Sequence, residues 1–123
     1  MSPVRAALCL AGGAALLPSA ADAHHRSPRE VVEALNTPAL REQTGIESVA
    51  PDPRMPRLLV IRVKPAWFQK SAADRLRLAA AWRRLWREAA PGGVLSVVDS
   101  AGGEAVVNFD ARGRPLLSLG AGP

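Results

Sequence analysis

Residues 71–90, SAADRLRLAAAWRRLWREAA, carry every local signal that a helix needs, and the rest of the chain must be arranged to cover what that helix exposes. Ser71 stands at the cap position, and Asp74, three residues on, closes a capping box and suits the positive end of the helix. Pro91-Gly92-Gly93 stops it. Leu78, Trp82, Leu85, Trp86 and Ala89 fall within a sector of about 100°, a stripe that has to be buried. Arg77, Arg83, Arg84 and Arg87 fall on the other side, with Glu88 for acidic company.

What can cover such a stripe is a sheet, and the chain supplies strands on both sides of the helix. Residues 57–64 alternate, with Leu59, Ile61 and Val63 on one face and Leu58, Val60, Arg62 and Lys64 on the other. Pro65 ends that strand, and the loop 66–70 brings Trp67 and Phe68 over the helix start. After the helix, residues 94–99, 104–110 and 114–119 form two hairpins. With three-residue loops and Gly103 and Gly113 in the left-handed bulge position, Val97 faces Val107 and Leu95 faces Phe109. Leu117 then faces Val107 and Leu119 faces Ala105. A slip of a single residue would put Ser96 or Ser118 on the apolar face instead. Pro115 assigns the last strand to an edge.

Before the first strand, Ser27, Pro28 and Glu30 open a helix with Val31, Val32 and Leu35 on its apolar side. Thr37-Pro38 starts a short second helix that Gly45 ends. Pro51, Pro53 and Pro56 make residues 46–56 an irregular surface connector. The expected architecture is α+β in two layers, with the long amphipathic helix packed on a four-stranded mixed sheet. Its elements run α-α-β-α-β-β-β, and the crossover makes the first strand parallel to the second. Residues 24–56 form an N-terminal helical segment with a Pro-rich connector, and residues 57–123 form a βαβββ domain.

The first 23 residues have a different purpose. A short n-region with Arg5, an apolar stretch of small residues and Ala21-Asp22-Ala23 together describe a secretory signal peptide cut after Ala23. The apolar run is too short and too broken by glycine to span a membrane. The expectation is export to the periplasm or the medium without a transmembrane anchor. Cleavage removes Cys9, the single cysteine, so disulfides, thiol catalysis and cysteine metal sites are excluded from the mature chain. The net charge of +5 is unaffected, because Arg5 and Asp22 leave together.

Candidates for chemistry are few. If cleavage follows Ala23, the new α-amino group meets His24 and His25, a set of neutral nitrogens that suits Cu(II). A frayed, solvated terminus accounts for the same residues, and no third histidine exists to complete a site. Asp99, Glu104 and Asp110 stand beside the glycine-containing turns they help to form. Ser96, Ser100 and Ser118 have no histidine near them for activation. Phosphate-loop, dinucleotide and metalloprotease motifs are absent, so a non-catalytic binding or accessory role is expected, with no cofactor. The arginine face Arg77, Arg83, Arg84 and Arg87 suits an acidic protein or an acidic envelope polymer. Nucleic acid fits less well, because no aromatic interleaves these arginines. A solvated helix surface explains the same face without a partner.

Overall fold

The computed structural model describes residues 26–118. The expected signal segment with Ala21 and Ala23, the pair His24–His25 and the strand residue Leu119 lie outside the described residues.

Helix α1 (Pro28–Leu35) starts on the expected capping box, in which Ser27 Oγ accepts the Glu30 amide and Glu30 accepts the Ser27 amide. Thr37 caps α2 (Pro38–Thr44), and Gly45 ends it in the left-handed region at φ +85°. Any side chain at Gly45 would also lie only 2.7 Å from the Trp67 amide nitrogen. The chain then enters β1 (Ile46–Pro51), β2 (Leu58–Val63) and the single turn α3 (Pro65–Phe68). Helix α4 (Ala72–Ala89) follows, and β3 (Val94–Asp99), β4 (Ala105–Phe109) and β5 (Pro115–Leu117) complete the described chain.

The α+β class, the long helix and the mixed sheet are as expected, but the sheet has five strands in the order β1-β2-β3-β4-β5. The stretch read as a connector is an edge strand antiparallel to β2, with Val49 opposite Ile61 and Pro51 opposite Leu59. Two features hide it in the sequence. A register shift between Ile46 and Ser48 breaks the alternation, so the buried residues Ile46 and Val49 stand three apart. Pro51 sits at the last position of an edge strand, where a missing N–H is tolerated. The outward backbone of this edge is closed by Asn36, whose side-chain amide donates to Val49 O at 2.9 Å and accepts from Val49 N at 3.2 Å.

Strands β2 and β3 are parallel, with Leu59 beside Leu95 and Ile61 beside Val97. The β4–β5 turn takes the expected three-residue form with Gly113 at φ +82°, whereas Asp99 and Glu104 close a four-residue turn between β3 and β4 with Gly103 at φ +75°. Val97 pairs with Val107, and Val107 with Leu117, as the apolar pattern predicts. Leu95 and Phe109 depart from that pattern. The β3–β4 ladder holds Val97–Val107 and, across a bulge, Val98–Ala105, but not Leu95–Phe109.

One core joins all of this. Val31 and Leu35 of α1, Leu40 of α2 and Ile46 and Val49 of β1 belong to the same buried cluster as Ile61, Val97 and Trp86. Trp67 is fully buried and stacks on Trp82 with ring centroids 5.4 Å apart. Trp86 donates its indole N–H to Arg57 O at 2.8 Å, the same oxygen that accepts the Val94 amide at 2.9 Å. The opposite face of the sheet is more open, and Val94 and Leu116 are exposed there.

Candidate functional site

The long helix is rolled by about 40° from its expected setting. Its most buried positions are Ala79, Trp82 and Trp86, while Leu78, Leu85 and Ala89 are only partly buried. Arg75, on the same row, is half-buried with Nε unpartnered among the described residues. The roll brings Arg83 down to the flank of the stripe. Its guanidinium lies 5.7 Å from the Phe109 ring centroid and packs onto the bare backbone at Gly113, where any side chain would collide with it. Arg83 is thus fixed between α4 and the β4–β5 hairpin and is half-buried, not on a free helix face.

Around Arg83 lie two adjoining depressions. Ala80, Arg83, Arg84, Arg87 and Glu88 of α4 and Gly113, Arg114 and Pro115 of the hairpin line a groove of about 430 Å³. Arg83 and Arg87 also roof a second cleft of about 500 Å³, with Leu95, Ser96, Val107, Asn108 and Phe109 among its lining. This cleft opens where β3 and β4 separate. The Val94 and Ser100 amides donate to β2, so the alternate residues Leu95 and Val97 turn their backbone groups towards β4. Val106 O and the Asp110 amide bond to the β5 side, so Val107 and Phe109 turn theirs towards β3. Val97 and Val107 meet. Leu95 and Phe109 are not partners in the ladder, and their N–H and C=O groups turn towards the cleft.

The electrostatics favour anions. Arg83, Arg84 and Arg87 form no ion pair among the described residues. Arg114 is paired with Asp110 through Nε and Oδ2 at 2.9 Å. The Arg114 amide, opposed by partial desolvation, and then its guanidinium and the Arg112 amide hold the Asp110 carboxyl below its ordinary range. Asp110 is therefore occupied in shaping the turn, the role its position predicts. Asp99 does the same by accepting the Ala101 amide at 3.0 Å.

Of the four arginines singled out by sequence, the fold gathers Arg83, Arg84 and Arg87 and leaves Arg77 apart. Arg77 bonds Asp74 at 2.6 Å near the start of α4. This pair replaces the back-bond of the expected capping box. Ser71 Oγ accepts the Asp74 amide, while the Asp74 carboxylate turns to Arg77, which lowers its pKa as the largest cause. Sequence reasoning missed Arg114 and the strand gap. The small turn residue Gly113 was the available signal, since it leaves room for a long side chain from the helix. The metal candidates His24 and His25 lie outside the described residues, among which no group of three His, Cys, Asp or Glu side chains is placed to hold a metal. No described helix is long and apolar enough to cross a membrane.

Comparison with protein-family models, with characterised proteins and with solved structures found no match to this chain.

Proposed function

We propose that this is a small exported accessory domain, periplasmic or secreted, that binds an acidic partner without catalysing a reaction. The export half of this reading rests on the n-region, apolar stretch and Ala21-Asp22-Ala23 pattern of the first 23 residues. The binding half is carried by one observation: Arg83, Arg84 and Arg87 line the same groove and none has a carboxylate partner among the described residues. A guanidinium presents a planar fork of donors that matches a carboxylate in a bidentate fashion. Three such forks on adjacent turns favour a partner with several carboxylates over one with a single charge. The contacts lie at the surface, so they accelerate encounter and select partners more than they add affinity.

The test is binding of a fluorescent polyglutamate probe, measured by anisotropy at low and physiological salt. Arg84→Glu/Arg87→Glu is expected to weaken binding by about tenfold or more at low salt. Arg77→Glu is expected to leave it nearly unchanged, because Arg77 lies outside the groove and is already paired. Equal losses in the two variants would reduce the effect to net charge and remove the groove from the explanation.

A further inference from the structure

Both described edges of the sheet offer little to an added strand. On β1 the outward groups of Val49 are taken by Asn36. On the other side β5 is three residues long and contains Pro115, which has no N–H to offer. Inside the sheet the situation is reversed. Leu95 and Phe109 turn backbone donors and acceptors into the cleft between β3 and β4 and lie outside the β3–β4 ladder. Exposing unpaired main-chain groups inside a sheet is costly unless something pairs with them.

We infer that the β3–β4 cleft takes a short extended peptide segment bearing carboxylate side chains, which pairs through its backbone with Leu95 and Phe109 and is held by Arg83 and Arg87. This rests on the proposed role of the arginine groove and names the form its partner takes. The cleft calls for a peptide for three reasons. N–H and C=O groups outside the ladder on both walls suit a ligand with alternating donors and acceptors of its own, which a phosphate polymer lacks. The unpaired stretch is about three residues, or roughly 10 Å, long on each side, and a volume of about 500 Å³ suits a segment of that size. Side chains of an extended segment point alternately to the two faces of the sheet. Those on the helix side come under Arg83 and Arg87, and those on the open side come beside exposed Val94. The segment therefore alternates acidic with apolar residues. Arg83 is already seated on Phe109 and Gly113, so little of its freedom remains to be lost on binding.

The experiment uses the full chain and three probes: a blocked peptide alternating glutamate with valine, the same peptide N-methylated at alternate residues, and inorganic polyphosphate. Affinity is read alongside hydrogen exchange of the Leu95 and Phe109 amides. The parent peptide is expected to bind and to slow exchange at both amides, and N-methylation to weaken it by about tenfold or more. Arg83→Gln/Arg87→Gln is expected to weaken the parent peptide as well. If the N-methylated peptide or polyphosphate binds as tightly as the parent and both amides are unaffected, the cleft is an anion site without strand pairing. That result overturns this inference and leaves the arginine groove standing. If both amides are already protected in the free chain, its own tail or a second copy fills the cleft and the inference fails. If none of the probes binds, the groove reading fails with it.

Discussion

Two residues couple the site to the rest of the protein. Trp86 is buried and its indole N–H reaches Arg57 O. Trp86→Phe removes that bond and some volume, so a loss of about 2 kcal/mol is expected in urea unfolding. Asp110 acts through its charge. Its folded pKa is lowered by the Arg114 and Arg112 donors, so its contribution to stability is fully present above the unfolded value of about 3.9 and declines as the pH falls through the folded value. Thermal melts of the wild type should therefore lose stability on acidification below about pH 4, and Asp110→Asn should flatten that part of the profile. A loss centred near neutral pH would assign the dependence to some other group.

At the level of elements, the edge strand β1 is the part most dependent on a single side chain. Asn36→Ala leaves the Val49 N–H and C=O without their partner, which is expected to cost about 1–3 kcal/mol. It should also promote self-association, detectable by light scattering, because the strand edge is uncovered. The same strand marks where the sequence stops being legible. Residues 58–63 and 72–89 announce themselves, since each keeps a single period from end to end. β1 does not, because its bulge changes the spacing of Ile46 and Val49 and its prolines suggest a break. The arginine groove was half-legible. The composition of α4 shows the cations, but the buried side of the helix centres on Ala79, Trp82 and Trp86, with Leu78 and Leu85 only partly covered. The strand gap was invisible, since a regular register carried through Leu95 and Phe109 satisfies the apolar pattern equally well.

Taken whole, the described residues share one buried cluster, to which the helices before β1 contribute Val31, Leu35 and Leu40. That cluster takes residues from both sides of residue 56. Unfolding is therefore expected to be a single transition, with circular dichroism and tryptophan fluorescence superimposing in urea. Separate midpoints would show that α1, α2 and β1 form a unit of their own. With no cysteine described and a small core, each of the three tryptophans carries a large share of the packing.

The carbonyl of Arg57 accepts one bond from the parallel strand and one from the long helix. Every other strand pairing in the sheet joins neighbours in sequence, whereas this one must bring together segments separated by the whole of α4. Closing that loop is the slow part of folding such a chain, because its entropy is lost before any contact compensates. Sharing one oxygen ties helix docking to strand closure, so Trp86→Phe is expected to slow folding more than it hastens unfolding, as the two arms of a urea chevron would show.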